Sequence, residues 1–415
     1  MTTDMKPHVL GIDFGTSNSA VGYAVNGKPE LIAIEDGKDT LPTSIFFDSA
    51  EKELRFGRAA NASLIGRDEG RYMRALKSVL GTFLMHERRY MWGKVMTFVD
   101  VISYFLKEVK TRAEATTGQE FTHALSGRPV YFHSENEEKN QRAIEDLTAC
   151  YHAAGFEHVD FMFEPEAAAI ANGGFSNGAL TLIVDIGGGT SDYCLFREST
   201  DGIEVITCNG VRVGGTNFDR SLSIDNVMPH LGYQQLIHRE WGKETLPAPN
   251  HIYHDLATWE KIPSLYAPKS RELAESLEKL ALKPHPFSRL VTVLEEELGH
   301  DIAFAVEAGK IETNTSDQSA IDLNFIEKDL SATLNRTQLN GSLHRHTVKI
   351  ANAALATFEN TNLSPQQVDK VIFVGGSSLM QNIEHAIAPL FPNAELKYSN
   401  AFTAIVDGLA IASGR

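Results

Sequence analysis

The feature that most constrains this chain is a short pattern that it carries twice. The first copy is Val9-Leu10-Gly11-Ile12-Asp13-Phe14-Gly15-Thr16-Ser17-Asn18, and the second is Ile183-Val184-Asp185-Ile186-Gly187-Gly188-Gly189-Thr190-Ser191-Asp192. Each has a buried-strand signal, an acid at its end, a glycine turn and a Thr-Ser-polar exit onto a second strand. An Asp at the mouth of a buried strand is costly unless a cation lies against it. Glycines let the backbone turn tightly and bring its N–H groups to an anion. One such segment reads as an ordinary β-hairpin; two predict facing turns that clamp a phosphate chain. Asp13 and Asp185 would then hold a hydrated Mg²⁺, which takes one or two carboxylates plus phosphate oxygens. Each copy heads one lobe of an expected two-lobed α/β protein.

The 415 residues allow two or three domain-sized units with substantial cores. The 38 basic against 54 acidic side chains leave a net charge of −16, which argues against nucleic-acid or anionic-membrane partners. A phosphate ligand must therefore be won locally. Cys150, Cys194 and Cys208 have neither metal-ligand spacing nor the density of a disulfide framework, so a cytoplasmic location is expected. No stretch has the length and apolarity of a membrane span, and the N-terminus has no apolar leader.

Along the chain, Ser19–Val25 and Glu30–Ile34 read as strands joined by a type I′ turn at Asn26-Gly27. Leu41–Phe47 is a further strand, and Arg55–Arg112 reads as an inserted subdomain, basic and helical in its middle. Within it Lys77 has, on local pattern, the look of a solvated lysine. Phe98–Ala115 is an amphipathic helix, His123–Phe132 returns to the sheet, and Glu135–Gly155 is helical. Phe161–Phe163 leads into Glu164 and the helix Ala167–Asn172; local pattern leaves Glu164 open between a helix N-cap and a metal role.

Gly202–Cys208 is a strand, and Gly214-Gly215 precedes a helix whose N-terminus can face an anion. Ser221–Asn314 reads as mainly helical and polar, broken by a Pro-bearing segment around Leu246–Pro268. His251 and His254 there have no third ligand, so metal ligation is not expected. Glu307 and Lys310 read locally as a surface ion pair. The strand Lys370–Val374 runs into Gly375-Gly376-Ser377-Ser378, where the bare backbone permits close approach to a ring or ribose; the helices Met380–Ile387 and Ala401–Ala412 follow.

Taken in order, GIDFGTSNSAV, DTLPTSIFF, ALKSVLG, PVYF with EPEAAAIANG, VDIGGGTSD, VRVGGTNFD and VIFVGGSS resemble the actin-like ATPase superfamily. Within it they resemble the nucleotide-binding domain of the seventy-kilodalton heat-shock (DnaK-type) chaperones, and GRPVYF and EAGKIET look closest to the YegD-like branch. The resemblance implies duplicated ribonuclease H-like sheets around a nucleotide cleft. Lobe I would cover 1–178 with an insertion at about 41–114, and lobe II 179–399 with an insertion at about 220–320. A C-terminal helix at 400–415 would return to lobe I.

It also implies ATP or ADP with Mg²⁺. Asp13, Asp185 and Glu164 would form the metal shell. Gly15, Thr16, Ser17 and Asn18 would hold the phosphates from one side, with Gly187, Gly188, Gly189 and Thr190 on the other. Lys77 and Asp192 would orient the attacking water, Glu307 and Lys310 the ribose, and Gly375, Gly376 and Ser377 the adenosine; Gly214 and Gly215 line the same site. Leu379 and Ile311 stand where the family has arginines, one of which stacks on adenine. No stretch reads as the leucine-rich linker or the peptide-binding domain. Pro129 and Arg142 match residues that relay nucleotide state, which implies a protein partner sensitive to it. The resulting expectation is a slow ATPase of chaperone type, with a filament-forming protein or a small-molecule kinase of the same superfamily as alternatives.

Overall fold

The computed structural model describes residues 8–134, 136–172, 178–199, 202–239, 244–399 and 403–414. They form two compact units, one of Met1–Gly214 with Val348–Arg415 and one of Gly215–Thr347.

Two sheets organise the first unit, and they share a topology. In one, the strand Val9–Phe14 pairs antiparallel with Asn18–Val25, which pairs with Lys28–Leu31. On its other side it runs parallel to His123–Arg128, itself parallel to His158–Phe163. In the other, Leu180–Ile186 pairs antiparallel with Ser191–Ser199, followed by Gly202–Val211, and parallel with Lys370–Val374 and then Glu395–Tyr398. Strands with parallel partners are covered on both faces, which is why Leu180–Ile186 is buried throughout and reads as a continuous apolar run. The repeated sequence thus heads a repeated supersecondary unit.

Helices cover these sheets. Phe98–Thr117 starts with a capping box between Thr97 and Asp100 and ends at Gly118, φ 68°. Its apolar stripe carries Phe105 against Phe14, ring centroids 5.9 Å apart. The helix Ala404–Ser413 lies on the sheet that contains Val9–Phe14, where Gly11 leaves room for it: a Cβ there would stand 3.0 Å from the Ala410 nitrogen. The expected helix start at Ala401 lies outside the described residues, as does Glu135 at the start of the helix observed from Glu137 to Ala153. Asn26 and Gly27 have φ of 52° and 75°, as a type I′ turn requires.

The expectation that the middle of Arg55–Arg112 is helical is wrong. After one helix, Gly57–Ile65, come the strand Gly70–Arg74, two 3₁₀ turns at Leu76–Val79 and Phe83–His86, and the hairpin Arg89–Met91 with Lys94–Met96. Ala75, Gly81, Trp92 and Gly93 all take positive φ, which no continuous helix can contain. Gly70–Arg74 completes a three-stranded sheet with Ser44–Asp48 and Leu54–Phe56.

The second unit is mainly helical, with Pro268–Leu280, Pro284–Glu295 and Gly299–Ser316 as its longer elements inside Ser221–Asn314. A small hairpin, Leu236–His238 with Thr245–Pro247, leads into the Pro-bearing break, which holds a 3₁₀ stretch, Trp259–Tyr266, around Pro263. A second hairpin, Gln318–Asp322 with Ser331–Asn335, packs on the helix Gly299–Ser316.

Candidate functional site

Within the first unit, the two acid-tipped hairpins meet turn to turn. A Cβ on Gly188 would lie 2.6 Å from Ser17 Oγ and 3.2 Å from Thr16 Cβ, and one on Gly189 would lie 3.0 Å from Thr16 Oγ1. The second turn is closed by the Gly187 N–H donating to the Thr190 carbonyl at 3.0 Å. Two further glycines press on it. At Gly214 a Cβ would come within 2.7 Å of the Gly187 oxygen and the Gly189 nitrogen. Gly375, at φ 82°, stands so close to the second strand that a Cβ would reach 2.7 Å from Asp185 Oδ1 and 2.5 Å from the Ile186 oxygen. The glycines at 188, 189, 214 and 375 therefore let four backbone segments converge.

Buried charge collects at the same place. Lys77, on the 3₁₀ turn Leu76–Val79, is 8% exposed, so the solvated-lysine reading fails. Its ammonium pairs with the carboxylate of Glu164, the first residue of the helix Glu164–Asn172. Burial pushes the Lys77 pKa down, but Glu164 and Asp13 push it up by more, and it stays an ammonium. Asp192 sits directly across the hairpin from Asp185. Its Oδ1 accepts from the Val130 N–H at 2.7 Å, and its carboxylate also accepts from the Thr190 hydroxyl.

Asp13, Glu164, Asp185 and Asp192 thus crowd around Lys77, and Arg128 also faces Asp192 and Glu164. Burial, with Glu164 the next cause, raises the Asp13 and Asp192 carboxyls to about 7 each. Burial and the three neighbouring acids raise Asp185 well above the usual carboxylate range.

Asp185 Oδ1 is buried without a hydrogen-bond partner among the described residues. An orphaned carboxylate oxygen at a site with surplus negative charge is what a cation, or a water bound to one, satisfies. Among the described residues no three His, Cys, Asp or Glu side chains form a ready-made cage. Mg²⁺ does not require one, because it keeps most of its waters and takes few protein ligands directly. The donor set fits such an ion.

Glu307, Lys310 and Gly215 belong to the second unit, where Lys310 is buried and its ammonium lies 2.6 Å from Asp219 Oδ1. Lys310 is therefore not at the surface as expected: burial demands a desolvated partner, and the helix Gly215–Leu222 supplies one. In the first unit, Gly376 and Ser377 open the 3₁₀ turn Gly376–Leu379. Leu379 is 47% exposed and Ile311, in the second unit, 60%. His254 lies 3.4 Å from an Arg220 nitrogen, and no metal-competent group includes it or His251 among the described residues.

Sequence reasoning missed the bracket around Lys77. Arg212, at the end of Gly202–Val211, donates to the Ser78 carbonyl at 2.7 Å and lies 2.6 Å from His133 Nδ1. The other ring nitrogen of His133 is 2.8 Å from the Leu80 carbonyl, and Asp146 accepts from the Gly81 N–H at 2.9 Å. Burial is the chief cause holding the His133 pKa below its ordinary value, so the neutral ring accepts from Arg212 and donates to Leu80. The only signal for this in the sequence was a lone arginine before the Gly214-Gly215 pair.

A family model described as Hsp70 protein matches residues 9–88, 84–237 and 296–414, well over half of the chain.

Proposed function

Because the chain belongs to the Hsp70 family, we propose that it is a chaperone-type protein that binds ATP or ADP with Mg²⁺ in the first unit and hydrolyses ATP slowly. The observation that carries this reading is the convergence of two glycine turns on the buried cluster of Lys77, Glu164, Asp13, Asp185 and Asp192. Asp13, Asp185 and Glu164 would hold the ion, largely through its waters, and Mg²⁺ when bound neutralises charge on the phosphate oxygens.

Phosphoryl transfer needs positioning and charge stabilisation more than covalent chemistry from the protein. Thr16, Ser17 and Asn18 face the phosphate chain from one turn, and Gly187, Gly188, Gly189 and Thr190 from the other. Lys77, fixed by Glu164 and by the bracket on its turn, orients the attacking water together with Asp192. Gly214, Gly375, Gly376 and Ser377, all in the first unit, lie toward the ribose and base. The Val130 N–H on Asp192 ties the segment after Pro129 to the site, which supports a partner that senses nucleotide state. Arg142, exposed and paired with Glu138 on its helix, is available at the surface for such a partner.

The test has two arms. Asp13→Asn combined with Asp185→Asn should abolish Mg²⁺–ATP binding in calorimetry; undiminished affinity would end the reading. Lys77→Ala should keep ATP affinity and slow single-turnover hydrolysis by about 10²-fold, since a charge on the attacking water acts in the transition state. Unchanged turnover would remove Lys77 from the chemistry.

A further inference from the structure

Cys194 and Cys208 take no part in the proposed chemistry, yet they occupy directly opposed positions on adjacent strands of the second sheet. Cys194 lies on Ser191–Ser199 and Cys208 on Gly202–Val211, paired in register. Opposed residues of an antiparallel pair have Cα atoms about 4.5 or 5.5 Å apart, and both separations fall inside the range a disulfide spans. The side chains already point at each other, with Cys208 Sγ 2.6 Å from Cys194 Sγ. Cys150, the remaining cysteine, is buried in the core of the other sheet.

We propose that Cys194 and Cys208 form a redox site that closes reversibly into a cross-strand disulfide by exchange with a low-molecular-weight disulfide such as oxidised glutathione. The two positions differ in access. Gly202–Val211 is the edge strand of its sheet and Cys208 is half-buried, whereas Cys194 is fully buried. Cys208 is therefore the first nucleophile. Its thiolate attacks one sulfur of oxidised glutathione, and the departing glutathione thiolate takes up a proton. The Cys194 thiolate then attacks the Cys208 sulfur of the mixed disulfide and expels the second glutathione, which takes up the proton that Cys194 gave up. Two electrons pass from the cysteine pair to the glutathione disulfide. Contact with Cys208 and burial both push up the Cys194 thiol, so closure runs faster as pH rises.

The bond would bear on the candidate site through the strand itself. Residues two apart on a strand share a face, so Asp192 lies beside Cys194. Gly210, opposite Asp192, lies beside Cys208. The spacing there is already tight: a Cβ on Gly210 would stand 2.6 Å from Asp192 Oδ1. A covalent link two pairs further along, on the same face, fixes the cross-strand spacing at the acid.

The experiment uses the full chain, incubated folded with oxidised glutathione, then denatured, alkylated and mapped by mass spectrometry. The expected result is a linked Cys194–Cys208 peptide, loss of two of the three alkylatable thiols, and return of all three after dithiothreitol. Cys150→Ser should keep the link, and Cys208→Ser should leave Cys194 alkylated. Three free thiols after treatment would overturn the proposal, as would glutathione retained on Cys208 as a stable mixed disulfide. A link that survives Cys208→Ser or vanishes in Cys150→Ser would overturn it equally.

Discussion

The two acid-tipped hairpins share a sequence pattern and a place in their sheets, but they differ in what surrounds the acid. In the first, Asp13 faces Ala20 across the strands; in the second, Asp185 faces Asp192. Like charges directly opposed destabilise a sheet, so the second hairpin concentrates an electrostatic cost that the first does not carry. The first uses its small residues for packing: Gly11 and Gly22 sit in register beneath Ala410 of the C-terminal helix. Their glycine turns differ too. Gly15 is bare because its own turn closes on it, Gly188 and Gly189 because the opposite turn approaches. A repeated motif thus marks a repeated scaffold, and each glycine and acid within it answers to a different neighbour.

The largest effect that follows is at Gly15. An added Cβ would lie 2.2 Å from the Asn18 carbonyl oxygen, a backbone atom that cannot swing aside. Gly15→Ala should cost roughly 3 kcal/mol in chemical denaturation, the upper end for overpacking. Gly188→Ala meets only the rotatable Ser17 hydroxyl at its closest point and should cost less than half as much. Equal losses at the two positions would break the distinction between a turn closed on itself and a turn pressed by its partner.

The acids separate the hairpins next. A carboxyl whose folded pKa is raised keeps its proton after the unfolded chain has lost it, so its contribution to stability falls as pH rises through that interval. For Asp13 the interval runs from 3.8 to about 7, and Asp185 is raised in the same direction, by burial and then by Glu164, Asp192 and Asp13. In metal-free buffer, Asp13→Asn should gain melting temperature relative to the parent as pH rises from about 4 and level off near pH 7. Asp185→Asn should gain in the same direction and by more, because Asp192 and Asp13, as well as Glu164, repel its charge. Parallel curves for the two variants would mean that the facing Asp192 adds nothing at Asp185.

Much of this was legible in the sequence. The duplicated Asp-Gly-Thr text announced both hairpins, and the apolar stripe from Phe98 marked one helix, though its end lies at Thr117 rather than Ala115. The stretch between Ile65 and Phe98 was not legible, because positive φ at Ala75 and Trp92 leaves no signature in residue type. Nor were partners across long separations. The pairing of Lys77 with Glu164, and of Lys310 with Asp219, joins residues far apart in the chain, and local pattern described both lysines as exposed. Arg212 was marked only by standing before Gly214-Gly215, and His133 not at all, since a bracket on backbone carbonyls has no sequence of its own.

The smallest expected change in stability is at Gly187, and it discriminates best. Unlike its neighbours, Gly187 has nothing close: an added Cβ would find only the Thr190 carbonyl oxygen, at 3.8 Å. Its φ is not among the positive values, so alanine fits the backbone. Gly187→Ala should therefore change stability by no more than ~0.5 kcal/mol, and the lost freedom of the unfolded chain favours a slight gain. The fold gives no reason for a glycine here, whereas a phosphate chain lying on the turn does. A methyl group in that open space competes with the ligand, and ATP affinity should fall about tenfold, ~1.4 kcal/mol. Calorimetry on the folded variant reads both quantities against the parent. If stability and affinity are both unchanged, the phosphates do not pass over Gly187, and the second turn contributes through Gly188, Gly189 and Thr190 alone.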